Sequence, residues 1–137
     1  MSGVHVRVRI AGEQYALPIE GVLEAAELGE VTPVPGAPAV VLGVRNLRGQ
    51  LITVVDLATL FGLEDDSSPE RIVITEAGNR RAGLAVEAIL DVEPVSEPVE
   101  AAECEYLRGS VLADGQLVGV VDLSAALDAV AGNRATR

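Results

Sequence analysis

The chain has no tryptophan and no lysine, one cysteine and one histidine, and only 2% of its 137 residues are aromatic. Each scarcity removes a class of explanation. A lone Cys104 cannot form an intramolecular disulfide, and with His5 as the single imidazole no Cys/His metal cluster can be assembled. Cys104 sits between two glutamates in "AAECEYL", a setting that keeps a thiol protonated rather than activating it. No apolar run reaches the roughly 18 residues that span a bilayer. The opening "MSGVHVRVRI" interleaves charge with valine, unlike a signal-peptide core, so the expectation is a soluble cytoplasmic protein. Positive charge is scarce as well. Ten basic residues, all arginine, stand against 21 acidic ones, for a net charge of −11. That sign disfavours phosphate backbones and anionic membranes, so neither nucleic acid nor membrane insertion is expected.

What is present is aliphatic. The hydrophobic fraction is 49%, and with so few aromatics the core must be built from Val, Leu, Ile and Ala. Val4, Val6, Val8 and Ile10 alternate with His5, Arg7 and Arg9, the period of a half-buried strand with the polar residues facing outward. Tyr15, Leu17 and Ile19 alternate again, with Pro18 marking an edge or a strand end. "TPVPGAP" predicts an irregular loop. The short runs "VVLGV", "QLITVV", "RIVIT", "AGLAVEAIL" and "QLVGVV", separated by turn signals, predict a small barrel or sandwich rather than a parallel α/β sheet. "EDDSSPE" reads as a polar connector, and residues 133–137 as a frayed tail.

The most informative feature is a repeat. Residues 43–62, "GVRNLRGQLITVVDLATLFG", return as residues 109–128, "GSVLADGQLVGVVDLSAALD", with eight of the twenty positions identical. In each copy an aspartate, Asp56 or Asp122, follows an apolar strand and precedes an amphipathic run: Leu57, Leu60 and Phe61 in one, Leu123, Ala126, Leu127 and Val130 in the other. That pattern predicts a strand, a capping aspartate and a short helix, with Gly62 and Gly132 as the stops. Two such units predict two similar β lobes within one domain spanning residues 1–137. The copies differ just before the shared "GQL": Arg48-Gly49 in one, Asp114-Gly115 in the other. The scaffold therefore does not require arginine there, which leaves Arg48 as either an ordinary solvated loop residue or a site residue and favours a site-specific role.

Catalysis finds little footing. A pair of aspartates on duplicated lobes could suggest an acid-protease dyad, but that chemistry needs Asp-Thr-Gly or Asp-Ser-Gly loops. Here the sequences are Asp56-Leu57-Ala58 and Asp122-Leu123-Ser124. No nucleophile elbow, phosphate loop or dinucleotide fingerprint occurs. A binding module is the expected class, with no catalytic, cofactor or metal residues; a small β-barrel enzyme is the remote rival.

"EQYALPIEGVLEA", "VTPVPGAPAVVLGVRNLRGQLITVVDL", "AGLAVEAILDV" and "GQLVGVVDLSAAL" resemble the CheW-like adaptors of bacterial chemosensory arrays, over roughly residues 4–130. The resemblance implies a mainly β fold of two intertwined five-stranded SH3-like barrels, with short helices after the two "VVDL" strands. It implies a non-enzymatic, cofactor-free coupler between the cytoplasmic tip of a chemoreceptor (a methyl-accepting chemotaxis protein) and the regulatory domain of a CheA-type histidine kinase. It places the family's functional arginine at Arg48, an acidic partner at Glu24, and further partner contacts at Val22 and Gly43. Departures from the family pattern are Thr53 in place of a proline, Ala58 in place of an arginine, and Val86-Glu87 in place of Val-Asp. The alternative within the same class is an accessory adaptor of a pilus, gliding or developmental pathway that binds only one of these partners.

Overall fold

The computed structural model describes residues 3–63, 68–98 and 104–135, the last five of these by backbone alone. Among the described residues, ten strands form two five-stranded sheets. Lobe A contains β1 (Gly3–Ile10), β2 (Glu13–Pro18), β8 (Ala88–Val95), β9 (Leu107–Ala113) and β10 (Gln116–Val121), in the order β8-β1-β2-β10-β9. Lobe B contains β3 (Val22–Glu27), β4 (Val41–Leu47), β5 (Gln50–Asp56), β6 (Arg71–Ala77) and β7 (Arg80–Val86), in the order β3-β6-β7-β5-β4. The chain therefore starts in A, completes B, and returns to finish A. That path is what intertwining means here, and neither lobe is a continuous segment.

The order of strands makes the lobes copies of each other beyond the repeat seen in the sequence. Val54 lies beside Gly83 in lobe B, and its counterpart Val120 lies beside Ala16 in lobe A. Both edge strands carry an irregularity at the same place: the register shifts between Val22 and Glu24 on β3, and between Ile89 and Asp91 on β8. Such bulges twist and redirect an edge strand, and each re-aims an acidic side chain here.

The inner strands are apolar on both faces because both are covered. One face fills the barrel interior: Ile52, Val54, Ile72, Ile74 and Ala85 in lobe B, and Ala16, Val95, Val111, Val118 and Val120 in lobe A. The other face meets the opposite lobe in a shared core that includes Val8, Leu17, Val73, Leu84 and Val86. This arrangement corrects the outward orientation expected for His5 and Arg7. They are only 8% and 6% exposed, because the face of β1 that alternates with valine lies against lobe A. The imidazole is held by a hydrogen bond between Nδ1 and the carbonyl of Gly3 at 2.8 Å.

Two helices follow the repeated strands. The Asp56 carboxylate caps α1 (Leu57–Leu60), accepting from the Ala58 amide and the Thr59 hydroxyl. Asp122 caps α2 (Leu123–Ala135), accepting from the Ala125 amide at 3.0 Å. Gly62, at φ +73°, ends the first helix as expected, with the Leu63 amide returning to the carbonyl of Ala58. The second helix continues past Gly132 to Ala135, overlapping the segment expected to fray; residues 136–137 and the 64–67 part of the polar connector lie outside the described residues. The three aromatic side chains meet in one stack, with Tyr15–Phe61 centroids 5.1 Å apart and Phe61–Tyr106 centroids 6.4 Å apart. Phe61, just beyond α1, thereby ties lobe B to lobe A.

Candidate functional site

The β4–β5 hairpin turns on Arg48 and Gly49, whose φ angles are +50° and +85°. Leu47 and Gln50 are the last paired residues, so this is a two-residue turn with both central residues left-handed. Such a turn follows the twist of the strands, and glycine, asparagine or aspartate fills its first central position with least strain. Arginine in that conformation costs about 1–2 kcal/mol. The side chain of Asn46 steadies the turn by accepting from the Gly49 amide at 2.9 Å. The guanidinium of Arg48, 71% exposed, then reaches Glu24 in an ion pair. Because β3 and β4 are the two ends of the sheet order, this pair joins the ends of the curled sheet across lobe B. An exposed pair of this kind contributes about 0–1 kcal/mol, no more than the strain of its turn.

The structure brings Arg48 and Glu24 together, as the resemblance implies. Val22 and Gly43 are placed differently. Val22 is half-buried, pairs with Thr75 at the start of β3 and packs on the shared core. Gly43 is buried at a register shift in β4, with φ +149°. A Cβ there would run into the carbonyl of Thr32, which exchanges backbone hydrogen bonds of 2.8 and 2.9 Å with Val44. Backbone approach alone accounts for glycine at this position.

The second copy solves the same geometry with the charges rearranged. Asp114 and Gly115 turn the β9–β10 hairpin at φ +51° and +79°. After the matching bulge, Asp91 occupies the place of Glu24. An arginine is still present, but it comes from below: Arg7 on β1 occupies the place of Ile74 in lobe B. Its guanidinium lies 2.5 Å from Glu93, 3.7 Å from Asp91 and 3.8 Å from Asp114, and it also donates to Gln14, which passes a hydrogen bond on to Gln116. Burial alone would lower the Arg7 pKa; the Glu93 hydrogen bond and the charges of Asp91, Glu93 and Asp114 outweigh it and leave the group above its ordinary value. Alternation along β1 gave no hint of this cluster. The available signal was the spacing of acidic Asp91 and Glu93 on one strand face.

Elsewhere, Asp56 and Asp122 spend their carboxylates on separate helix caps. Among the described residues no three or more His, Cys, Asp or Glu side chains are grouped to hold a metal ion. Burial, with Glu13 and Cys104 nearby, pushes the Tyr15 phenol up to about 12. No helix among the described residues is long and apolar enough to cross a membrane.

Comparison with known proteins agrees with this architecture. Residues 5–131 match the CheW-like domain family. The chain is 30% identical to the chemotaxis protein CheW of Rhizobium meliloti, over 86% of its own length and 83% of that protein. It is 28% identical to the chemotaxis protein CheA of Salmonella typhimurium, over 86% of this chain but 18% of that one. The crystal structure of the scaffolding protein TtCheW from Thermoanaerobacter tengcongensis superposes with a TM-score of 0.79 at 29% identity, covering 89% of this chain and 90% of that one. With a family match across nearly its whole length and the two-barrel fold that accompanies it, the chain belongs to the CheW-like domain family.

Proposed function

We propose that the protein is a non-enzymatic chemosensory adaptor, coupling the cytoplasmic tip of a chemoreceptor to the regulatory domain of a CheA-type histidine kinase. Arg48 and Glu24 form its polar contact surface, with Val22 and Gly43 shaping the strands beneath. The observation that carries this reading is the strained, exposed arginine. A turn that lobe A completes with aspartate, a residue at ease in the left-handed region, is completed in lobe B with arginine at a cost in stability. Its pairing with Glu24 offsets little of that cost, which fits selection for a partner rather than for folding. At the centre of a desolvated interface such an arginine contributes about 2 kcal/mol or more to binding. The match to a segment of CheA supports the kinase half of the reading, since two chains of one fold can pair lobe to lobe.

The test is calorimetric titration of the protein with a receptor-tip fragment and with a kinase regulatory domain, separately and then together. Binding of both, with a ternary complex, is the expected outcome; binding of one alone selects the accessory adaptor. Arg48→Ala should weaken the interaction at least about tenfold, the equivalent of about 1.4 kcal/mol.

A further inference from the structure

We propose that Asn46 is a positioning residue for Arg48. Its side chain pins the β4–β5 turn in the conformation that aims the guanidinium at Glu24 and at the partner. This role rests on the proposed adaptor function, which gives the aim of Arg48 its consequence.

In a two-residue turn only the flanking pair, here Leu47 and Gln50, belongs to the ladder, so the amide of the second central residue has no strand partner. In lobe B that amide, the Gly49 N–H, donates to Asn46 Oδ1 at 2.9 Å. A peptide unit is planar, so anchoring this one holds the ψ of Arg48 and the φ of Gly49 together. With Arg48 at φ +50°, the line along which its side chain leaves the turn is then fixed. That line leads to Glu24, on the strand at the other end of the sheet order. A left-handed arginine persists only where its surroundings hold it. Arg48 is 71% exposed, so packing does little of the holding, and the Asn46 bond acts at its base.

Lobe A shows what asparagine displaces. In the repeat, Asn46 corresponds to Leu112 and its partner across the hairpin, Leu51, to Leu117. Leu112 and Leu117 are 72% and 68% exposed, and Leu51 is 70% exposed, so both hairpin faces are solvated alike. Burial therefore sets no requirement for the residue opposite Leu51. A leucine there would suit the strand better, because asparagine is depleted in strands. It would also form an apolar cross-strand pair with Leu51. Asn46 forgoes both, and its side chain bonds the turn instead. Lobe A needs no such brace: Asp114 is at ease in the left-handed region, and the cation rises from β1. The lobe with an exposed arginine on its turn is the lobe with an asparagine beneath it.

The experiment uses the full chain and two variants. Asn46→Leu copies lobe A; Asn46→Asp keeps an acceptor at the same reach. In calorimetric titration with the receptor-tip fragment and with the kinase regulatory domain, Asn46→Leu should bind about fivefold more weakly, the worth of one hydrogen bond. Its melting midpoint should be unchanged or higher. Asn46→Asp, whose carboxylate accepts the same amide, should restore the parental affinity. Because Asn46 acts through Arg48, the loss should vanish in an Arg48→Ala background. Without any partner, NMR relaxation should show the Gly49 amide less ordered in Asn46→Leu and as ordered as the parent in Asn46→Asp.

Parental affinity in Asn46→Leu, alongside weak binding by Arg48→Ala, overturns the inference and leaves the adaptor reading standing. An undiminished loss in the Arg48→Ala background overturns it too, since Asn46 would then touch the partner itself. Unchanged order at Gly49 does the same, as does a melting midpoint that falls with the affinity, which makes the bond a structural one. Parental binding by Arg48→Ala is the separate failure: it removes the role of Arg48 from the proposed function, and the positioning role falls with it.

Discussion

Lobes A and B share a backbone plan and differ in how they use it. Both turn a hairpin on two left-handed residues, bulge the facing edge strand, and cap a helix with aspartate. At the mouth of lobe A, charge is turned inward: Arg7 rises from the sheet and is shared among Glu93, Asp91 and Asp114. At the mouth of lobe B, Ile74 takes the place of Arg7, and the arginine stands on the turn itself, exposed. The lesson is that duplication fixes what the backbone needs and releases the side chains that stand on it. Lobe A spends its cation on its own stability; lobe B presents one to solvent.

The widest gap between the lobes should appear on removing the two arginines. Arg7→Ala strands three carboxylates around a vacated position, and should cost about 2–3 kcal/mol. That lies below the 3–5 kcal/mol of a fully buried pair because the carboxylates are partly solvated. Arg48→Ala should change stability by about 1 kcal/mol or less. Urea denaturation of both variants reads the contrast directly, and equal losses would erase the distinction.

Truncating equivalent helix residues should show where the lobes are alike. Leu57 and Leu123 each open a helix and are 0% and 5% exposed. Leu57→Ala and Leu123→Ala should each cost about 2–4 kcal/mol and lie close together on the same denaturation scale. A loss confined to one of them would mean the shared core is not shared evenly.

The aromatic stack, which joins Tyr15 of lobe A to Phe61 beyond α1, gives a pH dependence. The buried Tyr15 phenol titrates near 12 when folded and near 10 when unfolded. Its neutral form is favoured by the fold, so stability is unaffected below pH 10 and falls as pH rises from about 10 to 12. The loss at full ionisation is at most about 3 kcal/mol. Tyr15→Phe should flatten that slope, as read by melting midpoints at pH 9, 10 and 11. A slope unchanged in the variant would assign the alkaline loss to other groups.

Much of this architecture is legible in the sequence because backbone requirements leave strong marks. Asp56 and Asp122 announce helix starts, and Asp114-Gly115, within "LADG", announces a turn. The inner strands advertise themselves by β-branched runs. Two things were hidden. "AGLAVEAIL", apolar but for Glu87, becomes parts of two strands, β7 and β8, because the chain crosses from one lobe to the other near that glutamate. The burial of Arg7 was hidden too, since alternation tells which residues share a face but not what covers it. Of the site, Arg48 was visible as an asymmetry between copies, and Glu24 only through the family resemblance. The left-handed strain on Arg48 required coordinates.

The claim that Arg48 is kept for a partner and not for the fold can be tested with one substitution and two readouts. Arg48→Asn places in lobe B a residue suited to the left-handed turn, as Asp114 is in lobe A, with Asp114→Asn as the matched control. Arg48→Asn should raise unfolding stability by about 0.5–1 kcal/mol through relief of turn strain, while weakening binding to the receptor tip or the kinase regulatory domain at least about tenfold. Asp114→Asn should leave binding unchanged. An Arg48→Asn protein that is less stable than the parent, or that binds both partners as tightly, would contradict the account.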